Sequence, residues 1–365
     1  MARIALAGGG TGGHVYPALA IGDALRRRGH EVWYYGDEQR LEGRVAPGRG
    51  YAFRPVRAPQ YPRGGVWSKV RFAWGLTLSI LACRRQLGRD NIDLVLGVGG
   101  YISAPPVLAA WTRGSGRVIH EANVVPGMAN RLCARVAQGI MLTYESTRGR
   151  LSTDGPMEVV GVPVSVSIQG GSRAAAAERY GLDAKRKTVL FVGGSLGAAR
   201  INELAVAMAR DDARSFQVLH LCGRQYEAQV REQLGGDPEG CALMAYEDQM
   251  ALAYAMADLV VCRAGSSTLA ELCAVGKGSL LIPSPNVTEN HQEANARGLE
   301  SEGAAEVLVE EGWVIARSVE RVKTLAEDER HLKAMGVKAT ALARLEASEN
   351  AADMVELVLR ERGAR

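Results

Sequence analysis

Short apolar runs, each followed by a turn and then by a segment with helical spacing of apolar residues, recur along the 365-residue chain. In the first half they cover residues 3–7, 31–35, 94–98, 117–120 and 139–143. Continuous apolar runs of this length are typical of strands that are buried on both faces of a parallel sheet. Their alternation with helices predicts βα units and an α/β fold.

The same pattern restarts near residue 188. A strand is predicted over residues 188–192, the turn GGSLGA over 193–198 and a helix over 199–208, with further strands at 217–221, 259–262 and 279–282. Two glycine turns, each opening a βα unit, predict two Rossmann-like domains that face each other across a cleft. The polar stretch over residues 161–173 contains proline and glycine and is predicted to be the linker.

The first turn, GGGTGGH at residues 8–14, suits a phosphate. Glycines let a ligand approach the backbone, and the following helix directs its free N–H groups and positive dipole end at an anion. The turn also has the G-x-G-x-x-G spacing, and Asp37 follows the next strand, so a NAD-dependent oxidoreductase is one alternative. A dehydrogenase with one nucleotide domain would not need a glycine turn in each half, and His14 stands where a small residue is more usual.

Charge is distributed unevenly. The net charge is +4, yet residues 43–89 hold ten basic residues and no acidic one, which indicates an anionic partner. The stretch that begins at Val66 and ends at Leu87 has apolar residues at helical spacing, two tryptophans and flanking basic residues. Its continuous apolar part is too short to span a bilayer. We therefore expect an interfacial helix on an anionic membrane surface. The alternative is a helix of the protein core.

Six motifs, in order and spacing, closely resemble the MurG family of bacterial N-acetylglucosaminyltransferases: GGGTGGHVYPALA, GVGGYISAPPVLAA, HEANVVPGMAN, GGSLGA, CRAGSSTLAEL and ENHQEANA. The resemblance implies a GT-B glycosyltransferase fold. It also implies inverting transfer of N-acetylglucosamine from UDP-N-acetylglucosamine to the muramyl 4-hydroxyl of lipid I, the undecaprenyl-diphosphate-linked muramyl pentapeptide. The product would be lipid II, in peptidoglycan biosynthesis.

The resemblance also implies that the two domains bind different substrates. Residues 1–162 would form the acceptor and membrane-associating domain, residues 163–340 the UDP-sugar domain, and residues 341–365 a helix that packs back on the first domain. The enzyme would be peripheral on the cytoplasmic face of the plasma membrane. No cofactor and no nucleic-acid partner are expected, and no metal either, because the chain has no D-x-D motif.

On the acceptor side the resemblance implies two catalytic residues and five binding residues: His14 and Glu121, then Thr11, Gly12, Gly13, Tyr101 and Asn123. A neutral imidazole at a helix N-terminus is a plausible base, because the positive dipole end disfavours its protonation. The alternative is that His14 only hydrogen-bonds the backbone or the diphosphate. For Glu121 and Asn123 the alternative is ordinary turn chemistry.

On the donor side the resemblance implies eight UDP-sugar contacts: Ser195, Arg263, Ser267, Thr268, Glu271, His291, Gln292 and Asn295. Two alternatives need no ligand. Thr268 and Glu271 also have the spacing of a capping box, and residues 291–295 could be an ordinary polar helix start.

Three departures from the family pattern leave a further alternative open, a GT-B enzyme with another acceptor or UDP-sugar. Ala122 and Leu196 each stand where glutamine is usual, and Ser165 stands where arginine is common. Loss of a charge-assisted phosphate contact at Ser165 would cost about 1.5 to 3 kcal/mol unless another residue compensates.

Overall fold

The computed structural model describes residues 1–62, 64–194, 196–287 and 290–363. The chain divides into two compact units, Met1–Val164 with Arg344–Arg365, and Ser165–Ala343. Each unit is a parallel sheet with helices on its faces.

In the described part of the first unit, seven parallel strands form one sheet in the order β3-β2-β1-β4-β5-β6-β7. The strands are β1 (Arg3–Ala7), β2 (Glu31–Gly36), β3 (Ala52–Pro55), β4 (Leu94–Gly97), β5 (Gly116–Glu121), β6 (Gly139–Leu142) and β7 (Met157–Val159). At the carboxyl end of central β1, Ala7 lies beside Tyr35 of β2 and Gly97 of β4. The turns after these strands therefore leave the sheet at the same edge.

Helices cover both faces of this sheet. They are α1 (Gly12–Arg27), α2 (Leu41–Gly48), α3 (Val66–Arg89), α4 (Ala104–Arg113), α5 (Met128–Ala134) and the C-terminal α14 (Ala347–Gly363). Ile4 and Leu6 of β1 belong to a core with α1 and α14, while the alternating Ala5 and Ala7 belong to a core with α3, α4 and α5. This alternation is the period-2 burial of a strand covered on both faces.

The second unit repeats the plan with six strands over its described residues, in the order β10-β9-β8-β11-β12-β13. They are β8 (Thr188–Val192), β9 (Gln217–Leu221), β10 (Cys241–Met244), β11 (Leu259–Cys262), β12 (Ser279–Leu281) and β13 (Glu306–Val307). Its helices are α6 (Arg173–Tyr180), α7 (Ala199–Ala209), α8 (Glu227–Leu234), α9 (Met250–Met256), α10 (Ser266–Val275), α11 (His291–Ser301), α12 (Ile315–Glu327) and α13 (Glu329–Ala341).

The fold class predicted from the sequence, two Rossmann-like α/β domains, is confirmed. The predicted strands agree with the structure to within one residue at each end. The sequence analysis missed β3, β7, β10 and β13, which are the outermost strands of the two sheets. Among the helices that the structure describes, α3 included, none combines the length and apolar character needed to cross a membrane.

Candidate active site

The first glycine turn leads directly into α1. Thr11 is the N-cap residue, Gly12 and Gly13 are the first two helical residues, and His14 is the third. The hydroxyl of Thr11 is 3.1 Å from Nδ1 of His14, a hydrogen bond whose direction depends on the tautomer of the ring. The start of α1 thus places an imidazole next to the outward-pointing N–H groups of a helix terminus.

The His14 ring packs against the turn that follows β4. A Cβ atom on Gly99 would lie 2.8 Å from Cδ2 and 3.0 Å from Nε2 of His14, and one on Gly100 would lie 3.4 Å from Nδ1. Both glycines have positive φ, +95° and +77°. Tyr101 follows them, and its ring reaches Gly10. The structure therefore brings His14 and Tyr101 together at the carboxyl ends of β1 and β4.

The side chain of Glu121, the last residue of β5, forms hydrogen bonds with the turn that follows the strand. Its Oε1 accepts hydrogen bonds from the backbone N and from Nδ2 of Asn123, at 2.9 and 3.2 Å. Its Oε2 accepts from the Gly127 N–H at 3.0 Å and from Nδ2 of Asn130 at 2.9 Å. The residue is 2% exposed. Burial raises the pKa of the Glu121 carboxyl, and these four donors oppose that effect.

This geometry bears on the role of Glu121. A buried carboxylate with four donors organises the turn that carries Asn123, whereas a base needs a lone pair directed at substrate. Asn130 links this turn to the His14 region, because its Nδ2 is 3.7 Å from the position of a Cβ on Gly99. The structure favours a positioning role for Glu121, and direct catalysis by it stays a prediction.

The second glycine turn follows β8 as the first follows β1. Gly194 and Gly197 have φ of +82° and +77°, and a Cβ on Gly197 would lie 2.2 Å from the Cys222 carbonyl oxygen at the end of β9. Only glycine fits there. Ser195, the predicted diphosphate contact of this turn, lies outside the described residues.

The start of α10 corrects one reading of the sequence. Gly265 is the N-cap residue, so Ser267 and Thr268 are the second and third helical residues. Thr268 therefore does not cap the helix, and the capping box with Glu271 does not form. Ser267 and Thr268 instead lie in the first turn of a helix that follows β11, where backbone N–H groups favour an anion.

The Glu271 carboxyl group is hydrogen-bonded to a buried phenol instead. The Tyr254 hydroxyl donates to Oε2 of Glu271 at 2.7 Å. Burial raises the pKa of Glu271 to about 7, and the bond from Tyr254 lowers it. The predicted ribose acceptor is therefore a carboxyl group that ionises near neutral pH.

Arg263, at the end of β11, is held by two acceptors. Its Nη1 donates to the Ile282 carbonyl oxygen at 3.0 Å and to the carboxylate of Glu310. Both side chains of this ion pair are mostly buried, at 15% and 13% exposed. The pair fixes the guanidinium in one orientation, with its charge already balanced by Glu310.

The predicted sugar-reading residues lie at the start of α11. Oε1 of Gln292 accepts the Ser284 backbone N–H at 2.9 Å. Nδ2 of Asn295 is 3.5 Å from the Ala264 carbonyl oxygen, and Asn295 is fully buried, so it ties α11 to the end of β11. This burial favours a positioning role for Asn295. His291 is half-buried and is the first helical residue.

The three departures from the family pattern differ in their surroundings. Ala122 is 3% exposed, so no side chain reaches from it toward a ligand. Leu196 is 69% exposed. Ser165 forms a hydrogen bond between its hydroxyl and that of Ser167 at 2.8 Å.

Four residues beside the predicted ones escaped the sequence analysis. They are Asn130 and Glu42 in the first unit, where Glu42 accepts the Gly10 N–H, and Tyr254 and Glu310 in the second unit. Asn130 falls inside a recognised motif, which was the available signal. Glu42, Tyr254 and Glu310 lie 32, 17 and 47 residues from Gly10, Glu271 and Arg263, the residues of the predicted sites that they contact, so no local spacing identifies them.

The chain matches the two domains of one glycosyltransferase family. The glycosyltransferase family 28 N-terminal domain matches residues 4–142, and the family 28 C-terminal domain matches residues 188–356. Relatives named UDP-N-acetylglucosamine--N-acetylmuramyl-(pentapeptide) pyrophosphoryl-undecaprenol N-acetylglucosamine transferase include proteins of Clavibacter sepedonicus and Myxococcus xanthus. The first is 38% identical over 99% of this chain and 97% of its own length, and the second is 34% identical over 100% and 95%.

Solved structures share the fold. Acinetobacter baumannii MurG superposes with a TM-score of 0.77 at 27% identity, covering 98% of this chain and 99% of that one. The kitacinnamycin glycosyltransferase, at 18% identity and a TM-score of 0.73 over 98% and 99% of the two chains, shares the fold alone. With two matching family domains and full-length relatives above 30% identity, the chain belongs to glycosyltransferase family 28 and, within it, to the MurG family.

Proposed function

We propose that this protein transfers N-acetylglucosamine from UDP-N-acetylglucosamine to the muramyl 4-hydroxyl of lipid I, with inversion, to give lipid II for peptidoglycan. The observation that carries the proposal is its membership of the MurG family, together with an imidazole seated at a glycine-rich helix start. The first unit binds the acceptor and the second unit binds the UDP-sugar.

His14 is the proposed base. If Nδ1–H donates to Thr11, Nε2 is the nitrogen that takes the proton of the acceptor hydroxyl. As that proton leaves, the hydroxyl oxygen bonds to the anomeric carbon and the bond from that carbon to the UDP oxygen breaks. Tyr101 and Asn123 contact the acceptor, and the helix start at Thr11, Gly12 and Gly13 binds its diphosphate.

The donor side stabilises the charge of departing UDP. The glycine turn over residues 193–198 and the first turn of α10, with Ser267 and Thr268, supply backbone N–H groups near the phosphates. Glu271 accepts hydrogen bonds from the ribose hydroxyls. Arg263 frames the nucleotide in the orientation that Glu310 imposes, and His291 and Gln292 read the sugar hydroxyls.

We further propose that the enzyme docks peripherally on the cytoplasmic face of the plasma membrane through α3. Five side chains on one stripe of this helix are exposed apolar groups: Trp67, Val70, Trp74, Leu78 and Leu81. Trp111 of the neighbouring α4 is also exposed. Basic residues flank the stripe, and tryptophan with basic residues suits an anionic bilayer surface.

The decisive experiment measures transfer of labelled N-acetylglucosamine from its UDP donor to a short-chain lipid I analogue, with UDP-N-acetylgalactosamine as the competing donor. We expect selective formation of the lipid II analogue. His14→Ala should lower kcat by about 10² to 10⁴. The exposed His331→Ala should not, since His331 is on α13 and pairs with Glu306. Folded protein that binds UDP but makes no product would indicate another acceptor, as Ala122, Leu196 and Ser165 allow.

A further inference from the structure

Glu42 is a fully buried acidic residue beneath the first glycine turn. It is the second residue of α2, it is 0% exposed, and among the described residues no lysine or arginine forms an ion pair with it. Burying a carboxylate is strongly unfavourable unless hydrogen bonds replace its hydration. The groups that donate hydrogen bonds to the Glu42 carboxylate therefore indicate its role.

Those partners are backbone groups of two turns. The Gly10 N–H donates to both carboxylate oxygens, at 3.3 and 3.2 Å, and the Asp37 N–H donates to Oε1 at 3.3 Å. The turn after β1 and the turn after β2 are thus joined through one side chain. Tyr34 supports the same turn, because its hydroxyl donates to the Gly8 carbonyl oxygen at 2.9 Å.

The space for this carboxylate exists only because two neighbours are glycines. A Cβ on Gly9 would lie 2.0 Å from Oε1 of Glu42, and a Cβ on Gly36 would lie 2.7 Å from its Cγ. Neither glycine has positive φ, so backbone conformation alone would admit other residues there. The absence of a side chain at Gly9 and Gly36 is therefore explained by Glu42.

We propose that Glu42 is a positioning residue of the acceptor site: its carboxylate occupies the inner side of the glycine turn and restricts an acceptor diphosphate to the Thr11–Gly13 end. A dinucleotide bound to G-x-G-x-x-G brings its pyrophosphate to the turn backbone, where Glu42 already takes the Gly10 N–H and would repel phosphate. The same contact holds the turn that leads to His14. This inference rests on the proposed function for the identity of the acceptor.

The test compares Glu42→Gln and Glu42→Ala with Glu38→Gln, a control at an exposed acidic residue in the same connection. Hydrogen exchange of the peptide covering residues 8–16 is measured in the full-length protein. Steady-state kinetics then give kcat and KM for the lipid I analogue and KM for UDP-N-acetylglucosamine. We expect faster exchange and a loss of about 10- to 100-fold in acceptor kcat/KM in Glu42→Ala, with donor KM within twofold of wild type. Glu42→Gln should lose less, since its Oε1 still accepts both N–H groups.

Exchange is measured on the protein alone, so it tests the Glu42 contact even if lipid I is not the acceptor. Unchanged exchange in both variants would overturn the inference. Faster exchange with unchanged acceptor kinetics, in an enzyme that is active toward lipid I, would overturn the positioning role. If Glu42→Ala does not fold, the inference is tested by hydrogen exchange and steady-state kinetics of Glu42→Gln.

A double-mutant cycle adds a test of the contact itself. Gly9→Ala alone should displace the carboxylate and reproduce the kinetic loss of Glu42→Ala. In the Glu42→Ala background the added methyl group meets an empty space, so the second substitution should cost less than a further twofold. Multiplicative losses from the two substitutions would contradict the contact between Gly9 and Glu42.

Discussion

The Tyr254 hydroxyl donates a hydrogen bond to the Glu271 carboxylate at 2.7 Å. Tyr254 is 1% exposed on α9, and Glu271 is on α10. Burial raises the pKa of Glu271 to about 7, and this bond acts in the opposite direction. The pair therefore places a carboxyl group that titrates near neutrality at the proposed ribose contact.

UDP binding should depend on the ionisation of Glu271. Ribose hydroxyls donate best to the ionised carboxylate, so affinity for UDP should rise as the pH rises through about 7. If only the ionised form binds, the gain between pH 6 and pH 8 is about tenfold. Isothermal titration calorimetry should show this gain in wild type and in the exposed-site control Glu302→Gln, but not in Glu271→Gln. Equal pH dependence in all three would assign the effect to the nucleotide's own phosphates.

Tyr254→Phe should move the midpoint of this pH dependence upward. The phenol stabilises the ionised carboxylate, and its loss leaves burial unopposed, which raises the pKa of Glu271 further. Tyr180→Phe is a matched control, because the buried Tyr180 hydroxyl donates to another carboxylate of the same unit, Glu247, at 2.9 Å. The same calorimetric titration should show no shift of the midpoint in this control.

Gly99→Ala should lower turnover by displacing His14. Its Cβ would lie 2.8 Å from Cδ2 of the ring, and a misplacement of about 1 Å at a catalytic group costs roughly 10²-fold in rate. Gly114→Ala is the control, since Gly114 has φ of +73° and no atom within 4 Å of the added Cβ. Gly114 also has positive φ, so Gly114→Ala bears a left-handed backbone cost of about 1 to 2 kcal/mol without a steric clash. Equal kcat in the two would refute the packing of His14 on Gly99.

The C-terminal helix α14 should contribute strongly to the stability of the first unit. Met354 is 1% exposed in the core beneath that sheet, and its sulfur lies 2.9 Å from the position of a Cβ on Gly139 of β6. Met354→Ala should therefore cost about 2 to 5 kcal/mol. Scanning calorimetry would resolve a lower transition for the first unit. Val337→Ala, at a 72% exposed position on α13, should leave the transitions of both units unchanged. If Met354→Ala had no larger effect than Val337→Ala, the packing of α14 would contribute little to the stability of the first unit.

Vesicle binding should depend on the exposed stripe of α3. Trp67, Trp74 and Leu78 are 85%, 64% and 50% exposed, so replacing all three by serine leaves the core intact. We expect wild type to sediment at low salt with vesicles containing 30% phosphatidylglycerol, and the triple variant to bind about tenfold or more weakly. Serine at the exposed Val314 and Val337 should change nothing. Failure of the wild type to sediment would contradict membrane docking through α3.

The interior of each sheet could be predicted from the sequence because those strands are buried on both faces. RIALA of β1 and TVLFV of β8 are continuous apolar runs next to glycine turns, and their bounds agree with the structure. The edge strands carry no such signal. AFRP of β3 and MEV of β7 are short and half-exposed, and they are strands only because β2 and β6 offer them hydrogen-bonding partners.

By itself, the sequence determined the α/β class, the two repeated βα openings, the family and the candidate residues within local motifs. The motifs locate polar side chains next to strand ends, but they do not show which residues of other segments contact those side chains. Only the tertiary structure decided that Glu42 lies under Gly10, that Tyr254 faces Glu271 and that Glu310 holds Arg263. The physical reason is that a parallel sheet brings together turns and helices that belong to different βα units, so the contacts between them have no fixed sequence spacing.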